Sequence, residues 1–223
     1  MKKILNIEVF DMFPYEHGFI YSKKIRTDEG RVKISYNTFL TELGESHSIS
    51  RGAYLFNKFG ETYKNIANQL GDYVTCDSAL LPDGRRIVVF PSGEYGIFAP
   101  NGIVQQTGDL KYNDDRAHGV CIDGENFWSV VPNSNCVLRH SIKNLNINMR
   151  IGGGNFSAFE RPEDIVMYEG KLFVSCAESC CVKAIDLKDY SVKTYMVFDE
   201  PIWKYFRVND SEIVLLNSGI YVL

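Results

Sequence analysis

Short apolar runs alternate with polar residues along most of the chain, and turns rich in Gly, Asp, Asn and Ser separate them. Three stretches can be laid over one another: TCDSALLPDGRRIVVFPSGEYGIFAPNGIVQQTG from Thr75, AHGVCIDGENFWSVVPNSNCVLRHSIKNLNINMRIGG from Ala117, and PEDIVMYEGKLFVSCAESCCVKAIDLKDYSVKTYMV from Pro162. Each holds four apolar runs joined by three turns, so each predicts four short antiparallel strands. A repeat of ~40–50 residues with four strands per copy is the pattern of β-propeller blades.

The pattern extends in both directions. YEHGFIYSKK, GRVKISY, AYLFNKF and ETYKNIANQ supply four runs of an enlarged first unit, whereas IWKYFRV, EIVLLNS and GIYVL supply only three at the other end. An open strand edge needs a partner. The alternating segment Lys3 to Phe10 is the spare strand, and it is expected to complete the last blade. This reading gives one all-β domain over residues 1–223, a five-bladed β-propeller with four-stranded antiparallel blades; six blades is the rival. ETYKNIANQL is the one helix candidate, and its β-like neighbours favour a strand. FLTELGESHSISRG (Phe39 to Gly52) reads as an insertion between second and third strands, on the same face as the strand openings.

Composition changes this picture little. Charged residues are 23% and apolar ones 45%, with a formal net charge of −4, which suits an ordinary globular core. Lys and Arg are scattered, which argues against a nucleic-acid surface. Asn6, Glu8 and Asp11 interrupt the N-terminal apolar run before a signal peptide could form, and no window approaches the ~20 apolar residues of a membrane span. A cytoplasmic monomer without membrane contact is expected. The six cysteines read as reduced core thiols, and CAESCC lacks the second pair that a zinc site needs.

Ile151 to Leu187 resembles an NHL-type repeat: a glycine-rich opening, an aromatic, a Pro before the inner strand, then two strands joined by a polar turn. RAHGVCIDGENFWSVV and DEPIWKYFRVNDSEIVLL are weaker versions. The wider group it resembles includes protein-interaction propellers and gluconolactonase-like sugar-lactone hydrolases, so the resemblance implies a fold more than an activity.

Aligning the expected innermost strands on their apolar pairs puts an ionisable residue at the opening of each: His17, Asp77, His118, Glu163 and Lys204. Equivalent blade positions ring the central channel, so these five should converge at one mouth, with Trp203 beside them. Polar turns (Ser92 to Glu94, Asn133 to Asn135, Glu178 and Ser179, Asn217 to Gly219) would rim the same face. No nucleophile with a base stands out, so the expected function is non-catalytic recognition of a peptide, protein or glycan, with no cofactor. The alternative is a lactonase-type hydrolase that holds a divalent cation through Asp77 and Glu163.

Overall fold

The computed structural model describes residues 1–42, 44–67, 76–154 and 157–223. Among the described residues it shows five four-stranded antiparallel blades around a central axis. The first blade comprises β1's successor strands: β1 is Lys2–Leu5, and the blade itself is β2 (Val9–Tyr15), β3 (Gly18–Arg26), β4 (Val32–Leu40) and β5 (Glu45–Ile49). Helices α1 (Arg51–Phe59) and α2 (Tyr63–Ile66) follow. The second blade is β6 (Asp77–Leu80), β7 (Arg86–Val89), β8 (Glu94–Phe98) and β9 (Val104–Asp109). A two-stranded hairpin, β10 (Lys111–Tyr112) and β11 (Asp115–Arg116), leads to the third blade: β12 (His118–Asp123), β13 (Asn126–Val131), β14 (Cys136–Ser141) and β15 (Ile147–Gly152). The fourth is β16 (Pro162–Tyr168), β17 (Lys171–Cys176), β18 (Cys181–Asp186) and β19 (Val192–Val197). The fifth begins with β20 (Ile202–Val208), β21 (Ser211–Leu216) and β22 (Gly219–Val222).

The fifth blade is completed by β1, which pairs with β22 (Lys2 opposite Val222, Lys3 opposite Tyr221, Leu5 opposite Ile220). The closing strand is therefore shorter than the expected Lys3 to Phe10. The chain crosses from rim to axis after Leu5, and Val9 to Tyr15 form the inner strand of the first blade. Gly219 makes the closure possible: a Cβ there would lie 2.1 Å from the Leu5 carbonyl oxygen, and its φ is +140°.

Apolar side chains from adjacent blades interlock. Ile87, Val89, Val120 and Phe127 fill the second interface, Trp128, Val137, Ile165 and Val174 the third, and Phe173, Val182, Tyr205 and Val214 the fourth. Phe19, Tyr21, Phe206 and Val208 join the last blade to the first. The interface between the first and second blades differs. There Tyr54, Leu55 and Phe59 of α1, with Ile66 of α2, stand between Ile20 and Tyr36 on one side and Val88 and Phe98 on the other.

That wedge corrects three expectations. AYLFNKF and the start of ETYKNIANQL are helical, not strands; residues 68–70 lie outside the described residues. Residues 39–42 and 44–52 include the end of β4, β5 and the start of α1, so the expected insertion falls at the third and fourth strands of the blade rather than between the second and third. The helix has local causes. Ser50 caps it, its Oγ accepting from Ala53 N at 3.1 Å. Tyr54, Leu55, Lys58 and Phe59 recur at helical spacing and form one buried face. Gly60, at φ +59°, terminates it. The far end is tied to the second blade, since the Lys58 carbonyl accepts from Ser78 Oγ at 3.0 Å and Arg86 Nη1 at 3.3 Å.

No helix among the described residues is long and apolar enough to cross a membrane. Gly219→Ala should push β1 off β22 and lower stability by about 3 kcal/mol, within the range of backbone strain plus a lost edge. Thermal melting and light scattering check this, and deleting residues 1–6 should give the same loss.

Candidate functional site

The inner strands deliver a charged cluster to the axis. Asp11 comes from β2, Asp77 from the start of β6, Asp164 from β16 and Lys204 from β20. The ammonium of Lys204 lies 3.4 Å from Asp77 Oδ1 and 3.6 Å from Asp11 Oδ1 and from Asp164 Oδ1. The other Asp11 oxygen, Oδ2, is held from α1: Tyr54 Oη donates to it at 2.5 Å, and Lys58 Nζ donates to it as well. In the third blade a glycine takes the place of a charged residue. Gly119 N donates to Asp77 Oδ2 at 2.9 Å, and a Cβ at this φ +58° position would crowd Ile165 at 3.1 Å.

Five charges so close together, most of them buried, shift one another. Burial alone would raise the Asp77 pKa, but Lys204 and Lys58 outweigh it and hold the carboxyl below its usual range. For Asp164 burial wins over Lys204, and nearby Asp77 adds to it, so its pKa is pushed up to about 6. Lys204 behaves oppositely: burial opposes its charge, yet Asp164, Asp77 and Asp11 together hold its pKa well above normal.

Above this cluster opens a depression of about 290 Å³, lined by Asp11, Asp77, His118, Glu163, Trp203 and Lys204 among others. Asp77, His118, Glu163, Trp203 and Lys204 of the expected ring thus share one pocket. His17 does not. It lies in the turn between β2 and β3, at the opposite face, with its ring Nδ1 3.4 Å from Asn209 Nδ2. The first blade's inner strand is VFDMFPY rather than HGFIY, so Asp11 stands where His17 was expected.

A second correction concerns register. The pairing of β2, β12, β16 and β20 with their neighbours shifts between Val9 and Asp11, His118 and Cys121, Pro162 and Asp164, and Ile202 and Lys204. Each shift leaves extra residues out of the ladder at the mouth, as a β-bulge does. Glu163 and Trp203 occupy such positions at the rim, and the residues that follow them, Asp164 and Lys204, reach the axis. Asp11, Asp164, Tyr54 and Lys58 were missed. The signal was present for two of them: VFD-MF, PED-IV and IWK-YF align with the charge just before an apolar pair.

The rim residues are already engaged. Arg161 Nε donates to Glu163 Oε1 at 2.6 Å, and the Arg161 guanidinium lies over the Trp203 ring, 5.5 Å from its centroid. The Trp203 indole donates to Asn217 Oδ1 at 2.6 Å. A sugar ring could therefore stack on Trp203 only by displacing Arg161. As for a divalent cation, Asp77 faces an ammonium and Glu163 a guanidinium, and no three His, Cys, Asp or Glu side chains cluster as metal ligands among the described residues.

The mouth pocket continues outward. His118 also lines a depression of about 390 Å³ with Asp114, Asp115, Arg116 and Asn133. Pro91 joins that one to a third, of about 650 Å³, bordered by Glu94, Tyr95, Thr107 and Asp109. The β10–β11 hairpin lines the middle depression through Asp114, Asp115 and Arg116, and its Asn113 and Asp114 have φ of 51° and 65°, the backbone that a two-residue hairpin turn requires. The two outer depressions are lined by four carboxylates, Glu94, Asp109, Asp114 and Asp115, and one guanidinium, Arg116; Asp109 is paired with Lys111 at 3.2 Å.

Among the described residues one Ser–His hydrogen-bonded pair is present, and it is structural. Ser129 Oγ and His140 Nε2 are 3.0 Å apart, and His140 Nδ1 is 3.3 Å from the Leu145 carbonyl. Both side chains are buried, and the imidazole stacks on Phe127. Burial pushes the His140 pKa down to about 4.

No family model matches the chain, and no curated protein matches it in sequence. By structure it is similar to β-propellers. The WD40 propeller domain of Doa1 superposes with a TM-score of 0.53 at 10% identity, over 94% of this chain and 60% of that one. Saccharomyces cerevisiae Sqt1 gives 0.52 at 9%, over 96% and 71%. A chain of the nidogen/laminin complex gives 0.52 at 12%, over 94% and 71%. The chain thus spans 60% of the length of the Doa1 domain. It folds as a five-bladed β-propeller. At these identities the likeness is one of fold, and the resemblance of Ile151 to Leu187 to an NHL repeat holds at that level.

The raised Asp164 pKa has a measurable consequence. Its folded value, about 6, exceeds its unfolded value near 4. The stability it contributes is therefore complete below about pH 4 and is lost as pH rises through about 6. His140, depressed to about 4, works the other way: its contribution is present above about pH 6.5 and is lost as pH falls through about 4. Asp164→Asn removes the first effect alone. It should stabilise the protein at pH 8 by about 2 kcal/mol, with the gain vanishing near pH 4. Urea denaturation of variant and wild type across this range checks it. Lys58→Met, which strands a buried Asp11 carboxylate, should cost about 3–5 kcal/mol at neutral pH.

Proposed function

We propose that the chain is a non-catalytic recognition propeller whose mouth face binds an extended, cation-bearing segment of another protein. The observation that carries this is the adjacency of three shallow depressions, the first two both lined by His118 and the last two both lined by Pro91, with an excess of carboxylates in the outer two. An extended chain fits a run of shallow depressions better than a compact small molecule does, since the latter favours one enclosed pocket. Lys or Arg side chains would meet Glu94, Asp109, Asp114 and Asp115, whereas a nucleic-acid backbone would be repelled. The Ser129–His140 pair is sealed in a blade core, which favours recognition over acyl transfer. The fold is shared with a propeller solved in a complex of two proteins, nidogen and laminin, and repeat folds commonly present such recognition faces.

The test is selection of a random-peptide display library on the immobilised protein, followed by affinity measurements with synthetic peptides. The expected winners carry Lys or Arg, and their affinity should fall about tenfold or more with Glu94→Lys plus Asp114→Lys, a loss of about 1.4 kcal/mol. Reversing the opposite-face residues Glu16 and Glu169 should leave affinity unchanged. Acidic or uncharged winners, or peptides sensitive only to the opposite-face changes, would sink the reading.

A further inference from the structure

The turn between β17 and β18 belongs to the mouth face and holds three of the six cysteines: Cys176, Cys180 and Cys181. Cys176 and Cys181 stand directly opposite each other in the antiparallel ladder. Directly opposed residues in such a pair have Cα atoms about 4.5 or 5.5 Å apart, depending on the pair type, and side chains on the same side. A disulfide spans Cα separations of about 4.4–6.8 Å. Both pair types fall inside that Cα range, so the register places the two cysteines where a disulfide can bridge the strands.

In the reduced hairpin the Cys176 thiol donates to the Val174 carbonyl at 3.7 Å, and Ser179 Oγ lies 3.3 Å from Cys181 Sγ. Neighbouring Cys176, with Ser179 and Lys183, lowers the Cys181 pKa to about 6 against the effect of burial, and Cys181 in turn raises the Cys176 pKa. Cys180 is turned away, its Sγ 3.6 Å from the Ala177 carbonyl and 3.9 Å from that of Glu178.

We propose that Cys176 and Cys181 are an oxidisable dithiol that closes to a disulfide across the β17–β18 hairpin when it meets hydrogen peroxide. Both side chains are buried, so an oxidant of about water's size suits them and a bulky disulfide does not. The Cys181 thiolate attacks one peroxide oxygen, the O–O bond breaks, and the departing hydroxide takes a proton to become water. Cys181 is then a sulfenic acid. The Cys176 sulfur attacks it, the S–S bond forms and the S–O bond breaks, and the leaving hydroxide carries off the Cys176 proton as a second water. Two thiols lose two electrons, and one peroxide gains them.

The position ties this chemistry to the mouth. Ala177 N donates to the Arg161 carbonyl at 2.9 Å, and the Cys180 carbonyl accepts from Phe198 N at 2.8 Å. Arg161 is the residue that covers Trp203 and holds Glu163. The modified turn therefore anchors part of the pocket rim.

The experiment uses the full chain, reduced and then treated with hydrogen peroxide, its free thiols alkylated and the protein digested with trypsin without reduction. Residues 172–183 form one tryptic peptide with all three cysteines. After peroxide it should carry a single alkyl group, on Cys180, and regain all three labels when reduced before alkylation. Cys180→Ser should give a peptide with no label after peroxide and two after reduction. A wild-type label on Cys176 or Cys181, a Cys180→Ser peptide that keeps both labels, or a cross-link between two chains through Cys180 would each overturn the proposal.

Discussion

The ion pair between Asp11 and Lys58 holds together parts of the molecule that nothing else joins so directly. Asp11 belongs to the first inner strand and Lys58 to the helix wedged between the first two blades. The second oxygen of Asp11 faces Lys204 in the closing blade. One carboxylate therefore links the first blade, the wedge and the end of the ring. A buried ion pair stabilises a fold only weakly against an apolar substitute, but losing one partner leaves an uncompensated charge in a dry site. That asymmetry makes the wedge hard to dislodge. Its apolar face could pack against many surfaces; Lys58 with Tyr54 fits only beside Asp11.

The whole axis follows the same logic. Asp11, Asp77 and Asp164 are answered by Lys58 and Lys204, one positive charge short of balance when all are ionised. Burial, with the nearby Asp77 charge adding to it, lets the Asp164 carboxyl keep its proton to about pH 6, while Lys204 and Lys58 hold Asp77 ionised. Lys204 occupies the space among the three carboxylates that a bound cation would take. A tethered ammonium needs no ligand to be present for the ring to hold.

The propeller was legible in the sequence because blade packing imposes a period on the apolar runs, and that period survives where individual residues change. Closure by the first strand followed from a missing fourth run. The wedge was not legible in the same way. In AYLFNKF the apolar residues Tyr54, Leu55, Phe56 and Phe59 satisfy a loose strand reading as well as a helical one, and the deciding marks are the Ser50 cap and Gly60. The ring was read one residue early at Glu163 because a β-bulge adds a residue without a compositional sign. In the first blade the error was a whole strand: the apolar pair of HGFIY matched, but the lone charge inside VFDMF was the one that reaches the axis.

Those bulges explain how one strand end serves two purposes. In PED and IWK the middle residue leaves the ladder and turns to the rim, and the last returns to the axis. Glu163 and Trp203 are therefore held by the same backbone that fixes Asp164 and Lys204, so the rim is as well anchored as the core beneath it. The axis charges themselves are largely spent on one another, and at physiological ionic strength exposed charges fade over about 8 Å. A ligand on the mouth face would thus sense chiefly the carboxylates beyond His118, where Glu94, Asp109, Asp114 and Asp115 outnumber Arg116. The buried charge is concentrated on the axis, and the one-residue bulges set Glu163 and Trp203 on the rim beside it.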